Sequence, residues 1–274
     1  MQNAIDPNPL ALNRADAGVR LAYGAGEPVS RLQSLTEWGG YRAKFPTTDA
    51  RAEAVLINTG GGVAGGDKLQ IEVALEAGAA LTITTQSAER IYRSLGDDAR
   101  ITTQLDVAAG ADLVFVPQET ILFSRARLAR TIDADMALDA RLLLAEMTVF
   151  GRAAMGERVT GGSWRDRWRI RRIGTLVYAD DVRIEGNIHE LLAHAAIGHG
   201  VSALATVLYV APDAAERLKQ VRAGLASATC RAAASSWNGL LSVRVLGNPQ
   251  AVRSIMASTI TTLSRRPLPR VWCM

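Results

Sequence analysis

Few residues in this chain have the type and spacing for chemistry, and the densest group is NTGGGVAGGDKL, Asn58 to Leu69. Gly60, Gly62 and Gly65 satisfy G-x-G-x-x-G, the spacing that lets a backbone approach a dinucleotide pyrophosphate. That use requires a helix after the loop, whose N-terminus meets the phosphates. Leu69, Ile71, Val73 and Leu75 instead alternate with Gln70, Glu72 and Ala74, which predicts a strand with one buried face. A Walker-type loop would need Gly-Lys-Ser/Thr. The chain has Gly66-Asp67-Lys68, a carboxylate where phosphate would approach. Neither nucleotide binding nor a nucleotide-dependent enzyme is therefore expected of this loop. Its glycines fit a tight strand connection, and Asp67 has two open readings: a turn aspartate capping backbone N–H groups, or a residue with a role of its own.

The three histidines, His189, His194 and His199, are five apart, which on a helix separates neighbours by about 140° and makes no metal clamp. They are read as solvent-facing or core side chains. Cys230 and Cys273 are far apart and show no C-x-x-C spacing, so neither a disulfide framework nor a zinc site is expected. No G-x-S-x-G or H-E-x-x-H occurs, and the chain is not expected to be an enzyme. Ser163 to Arg172, SWRDRWRIRR, places Trp164, Trp168 and Ile170 on one side of a strand and Arg165, Arg167, Arg169 and Arg171 on the other. The aromatics could not stack on bases that the arginines hold, so this face is either an ordinary solvated edge or a surface for an acidic protein.

The elements that must position these residues are mainly strands. AGAALTITTQ from Ala77 recurs as AGADLVFVPQ from Ala109, and stacked β-layers are expected from that recurrence. DARLLLAEM from Asp139 resembles a looser third copy, but is read as an unrelated strand after a turn. About ten short strands and no helix are expected between Arg51 and Gly186. Two helices come late: one from Asp213, DAAERLKQVRAGL, and a stronger one capped by Asn248 with Pro249 at its first position and Val252, Ile255, Met256, Thr259, Ile260 and Leu263 on one face. The expected fold is mainly β, an extended multi-stranded layered structure with a small C-terminal strand-helix-strand-helix portion. It is read as one domain over 1–274, β-rich over 20–200 and α/β over 201–274.

With 274 residues, 48% of them hydrophobic and 21% charged, the chain can bury a full core. Its net charge of +4 favours acidic partners without choosing among them. MQNAIDPNPLALNRADAG lacks a basic segment followed by an apolar one, and no apolar run reaches the roughly 18 residues that span a bilayer, so a cytoplasmic protein without a membrane segment is expected.

Five stretches, NTGGGVAGGDKL at Asn58, TTQSAERIYRS at Thr84, PQETILF at Pro117, GRAAMGE at Gly151 and LPRVW at Leu268, occur in the order of the urease accessory protein UreD family, called UreH in some organisms. The chain resembles that family over nearly its whole length, the first 20 or so residues excepted. The resemblance implies a mostly β scaffold without turnover that binds the urease apoenzyme and, through UreF, recruits the GTPase UreG. GTP then belongs to a partner. It further implies an internal water-filled channel for nickel, lined by acidic residues. The GGD aspartate of the family matches Asp67, and the acidic residue opening the strand in ADDVRIEG matches Asp180, with Asp181 as the adjacent register. Carboxylates and water are weak, exchangeable nickel ligands, which suits transit and no tightly bound cofactor. Nucleic acid is not among the expected partners. A basic nucleic-acid-binding β-protein is the alternative reading.

Overall fold

The computed structural model describes residues 14–48, 51–152 and 155–273. The first 13 residues, where the sequence predicts no export signal, and two positions of the GRAAMGE stretch lie outside the described residues.

The predicted β-layers are successive turns of a coil. Strands β5 (Lys68–Leu75), β8 (Ala99–Val107) and β11 (Arg127–Met136) lie parallel in one sheet, so that Ile71, Thr103 and Ile132 stand in a row. Each is followed by a tight turn into the second sheet, where β6 (Ala80–Thr85), β9 (Asp112–Phe115) and β12 (Arg141–Phe150) stack parallel in the same order. The turns are closed by bonds from Ala79 N to Glu76 O, Ala111 N to Ala108 O and Ala140 N to Ala137 O. Gly78 and Gly110 supply the positive φ of the first two, and Asp139 stands in the corresponding place of the third. DARLLLAEM is thus a third copy after all: Arg141 pairs with Asp112, which pairs with Ala80. The missing glycine hid the repeat, because the third turn closes without it.

A short third face completes each coil. β7 (Glu89–Ile91), β10 (Thr120–Leu122) and the end of β12 run parallel, with Ile91, Leu122 and Phe150 stacked and Val63 bridged to Ile91. Among the described residues the first sheet has seven strands: β1 (Asp16–Gly24) and β2 (Arg31–Trp38) extend it on one side, and β13 (Ser163–Arg172) and β14 (Thr175–Glu185) on the other. The second sheet continues through β4 (Ala52–Asn58) to β3 (Tyr41–Lys44) at one edge. Inward side chains of both sheets form one core. Trp164, Trp168 and Ile170 lie in it, as their alternation predicts. β13 is not an edge, however, because it is paired on both sides, with β11 and β14.

Past β14 comes α1 (Ile188–Ala193), capped by Asn187 and lying within the stretch predicted to be β-rich. The C-terminal portion is β15 (Ala203–Val210), α2 (Ala214–Leu225), β16 (Arg231–Trp237), β17 (Leu240–Gly247), α3 (Pro249–Ser264) and a last 3₁₀ turn, Arg270–Cys273. It has one strand more than predicted. β16 is an Ala- and Ser-rich edge strand of low intrinsic β propensity, held by a hairpin whose Asn238-Gly239 turn has φ of +48° and +72°. β15 pairs with β12, so this portion extends the second sheet. Helix α3 forms as its caps predict, with Asn248 accepting from Ala251 N, and its buried Val252, Met256, Ile260 and Leu263 cover the outer face of that sheet in a second core.

Candidate functional site

The glycine loop is closed on itself. Asn58 accepts from Gly60 N and donates to Gly62 O. The amides of Gly61, Val63 and Gly66 go to Asn58 O, Arg90 O and Asp98 O. Asp67 fills its two oxygens with backbone donors, Ala15 N at 2.8 Å and Ala64 N at 2.7 Å. A Cβ on Gly62, at φ +151°, would stand 2.4 Å from the Tyr92 ring, whose hydroxyl bonds Gly61 O. The amides of Gly60, Gly61, Val63, Ala64 and Gly66, which a phosphate loop would turn to its ligand, are here spent within the protein, and a strand follows, as the sequence predicts.

Beside this loop, between the sheets, the interior turns polar. Asn58 Nδ2 also donates to Glu89 Oε1 at 3.0 Å. Glu89, Tyr41, Thr85, Gln118, Thr120 and Glu146 face a cavity of about 30 Å³, and Tyr41, Thr85 and Glu89 are shared with a neighbouring one of about 40 Å³ that reaches Asn58 and Gly62. Each has the size of one or two waters.

Behind the cavity lies a buried charge cluster. In one lateral row of the first sheet the inward positions Ala17, Leu69 and Ile101 give way to Arg130 on β11 and Asp166 on β13. Arg130 makes a two-pronged bond to Asp166, Nε to Oδ1 at 3.0 Å and Nη2 to Oδ2 at 2.6 Å. Trp168 Nε1 adds a third donor to Asp166. Glu146, on the facing β12, receives only Arg130 Nη1, which also reaches Thr120. One guanidinium therefore serves two buried carboxylates, and Asp166 has the better of it. Burial pushes the Glu146 carboxyl up to about 7, with Arg130 offsetting part of the shift and Asp166 adding to it. Burial likewise raises Glu89 to about 7, against the bond from Asn58. Tyr41 is held well above its ordinary value by burial and by the two glutamates. The chamber thus presents two carboxyl groups balanced between their acid and anionic forms, next to hydroxyls and space for water.

Asp67 and Asp180 do not come together. Asp67 immediately precedes β5 and Asp180 is on β14, with β8, β11 and β13 between, a lateral separation of about 19 Å at ordinary strand spacing. Asp180 accepts from Arg244 of β17, with the Tyr178 hydroxyl at 3.5 Å. Asp181 points outward to a two-pronged bond from Arg165, which holds its carboxyl below the usual range. His189, His194 and His199 are exposed, and Cys230 and Cys273 are free thiols. Among the described residues no three His, Cys, Asp or Glu side chains converge as a metal cage, and no helix is long and apolar enough to cross a membrane.

Arg130, Glu146 and Asp166 escape a reading by motif, and Glu89, though inside the stretch at Thr84, is not singled out by it. The signal of the first three is a charged residue on the otherwise apolar inward face of a strand, as for Glu146 in LLLAEMTVF and Asp166 on the tryptophan side of SWRDRWRIRR.

Residues 15–273 match the family model described as UreD urease accessory protein. The chain is 48% identical over 268 residues to urease accessory protein UreD 1 of Methylobacterium radiotolerans, covering 96% of this chain and 93% of that protein. It is 45% identical over 260 residues to urease accessory protein UreD of Xanthobacter autotrophicus, covering 94% and 90%. With the motifs assembled around one interior and the match spanning almost every described residue, this chain belongs to the UreD urease accessory protein family.

Proposed function

We propose that the chain is a urease maturation factor, a cytoplasmic scaffold without catalytic turnover that binds the urease apoenzyme and works with UreF and UreG while nickel passes through its interior. Nickel is cargo here, and no tightly held cofactor is needed. The observation that carries this reading is the placement of Glu89 and Glu146 on one cavity with less positive charge than two carboxylates and Asp166 demand. An uncompensated carboxylate in a low-dielectric interior takes a proton or a cation, and either exchange is reversible when the ligands are single oxygens and water. Asp67 and Asp180 belong to the same proposal as acidic positions at the loop end and the β14 side, on the strength of their match to the family pattern. The alternative, nucleic-acid binding, finds less support: on the outward basic face Arg165 is tied to Asp181 and Arg171 lies 3.8 Å from Asp133.

The test is urease activation in cells supplied with graded nickel. Glu89→Gln with Glu146→Gln is expected to lower activation several-fold at limiting nickel, to recover as nickel is raised, and to leave pull-down of urease and UreF unchanged. Full activation at limiting nickel would overturn the path through these residues.

A further inference from the structure

On the outer face of the second sheet, away from the chamber, two clefts adjoin. One, of about 440 Å³, lies between the start of α2, the end of α3 and the sheet, with Val114 and Leu143 among its lining. The other, of about 280 Å³, runs under Pro267, Leu268 and Pro269. Arg266 lines both, and the ion pair of Arg51 with Asp112 joins them, since Arg51 faces the second and Asp112 the first.

The charge along this groove is strongly one-sided. Arg51, Arg141, Arg217, Arg265, Arg266 and Arg270 meet only Asp112, Asp213 and Glu53. Arg141 and Arg217 are fixed by the same Asp213, with the Tyr209 hydroxyl bonded to Asp213 and to Arg141. Their positions are set before any ligand arrives. Among the described residues Arg265, Arg266 and Arg270 have no carboxylate within ion-pair distance. Arg265 also closes α3 in the left-handed conformation, φ +55°, where glycine or asparagine is the unstrained choice. The chain carries a cation there at a conformational cost.

We propose that this groove binds an extended acidic segment of a partner protein, with Asp or Glu side chains on the arginines and apolar side chains against Pro267 and Leu268. A small anion would leave most of the two clefts empty. Single-stranded nucleic acid would want exposed aromatic rings, and the groove offers none beyond the buried Tyr209. The proposal rests on the accessory reading only in taking the partner to be a protein.

The experiment uses the full chain and a fluorescein-labelled octapeptide, Glu-Leu-Asp-Glu-Leu-Asp-Glu-Leu, followed by anisotropy at physiological salt. Saturable binding is expected, weakened at least tenfold by Arg265→Glu with Arg266→Glu. Arg265→Gly separates binding from folding: it should raise the melting temperature, by relieving the left-handed residue, and still weaken the peptide. Equal binding by wild type and the charge-reversed variant would overturn the proposal, as would tighter binding of a thymidine octanucleotide than of the peptide. Nickel-dependent activation by the Glu89 and Glu146 variants is read separately, so failure of the groove and failure of the nickel path are distinguishable.

Discussion

Trp272 donates its indole N–H to Thr84 Oγ1 and to Val116 O, both at 3.1 Å, across 188 and 156 residues of chain. The Arg253 guanidinium lies 4.6 Å over its ring and bonds Glu119, while Gln118 Nε2 donates to Val271 O. Three of the five family stretches are thereby locked together: Thr84 opens one, Gln118 and Glu119 belong to the second and Trp272 closes the third. Gln118 and the neighbour of Thr84, Thr85, face the polar chamber, so the C-terminus braces the chamber wall from outside.

Replacing Trp272 by Ala is expected to cost about 3–5 kcal/mol, the range for emptying a buried aromatic site, and to lower the melting temperature by about 10 °C. Trp272→Phe should lose less, since it keeps the ring under Arg253 and forfeits only the bonds to Thr84 and Val116. Differential scanning calorimetry of both variants checks the order. Equal stability of Trp272→Ala and wild type would mean that the C-terminal turn is not part of the cooperative fold.

Asp67 accepts from two backbone amides, Ala64 in the loop and Ala15 just before β1, so Asp67→Ala should destabilise the chain by about 1–3 kcal/mol in urea unfolding. A transit role adds a distinct signature. Asp67→Ala with Asp180→Ala would then lower urease activation partially at limiting nickel, with the urease and UreF complex intact and recovery at high nickel. Loss of the complex, with no rescue by nickel, would assign the pair a structural role alone.

Glu89 has a folded-state pKa of about 7 against 4.5 for the free side chain. The folded chain therefore holds this proton where the unfolded chain has released it, and stability contributed by the protonated form falls as pH rises from about 4.5 to 7, then levels off. Glu89→Gln should flatten that part of the stability–pH curve, and urea unfolding at pH 5, 6, 7 and 8 measures it. A wild-type slope identical to that of Glu89→Gln would show that the carboxyl titrates normally.

Much of the fold is legible without coordinates because its signals are local. Alternation in Leu69 to Leu75 predicts both the strand and its buried face, and Asn248 and Pro249 predict where α3 begins. The strand after Lys68 likewise excludes the dinucleotide reading of the glycine loop. The Asn238-Gly239 hairpin is equally local, but β16 has no β-branched residue and a single aromatic, Trp237, at its end, and its pairing with β17 supplies what its own propensity does not.

What the tertiary structure alone decides is which inward positions meet. Glu146 and Asp166 lie 16 and 36 residues from Arg130 along the chain, and each of the three is the single charged residue among the buried side chains of its strand. Nothing local distinguishes a buried carboxylate that will find a guanidinium from one that faces water. The parallel coil sets that outcome: rows of residues about 30 apart stand side by side, and the second sheet is carried across to oppose them. The sequence therefore determines the strands, their faces and the family. Sharing of one arginine between two carboxylates, and with it the chemistry of the chamber, follows only from the register in which the coils stack.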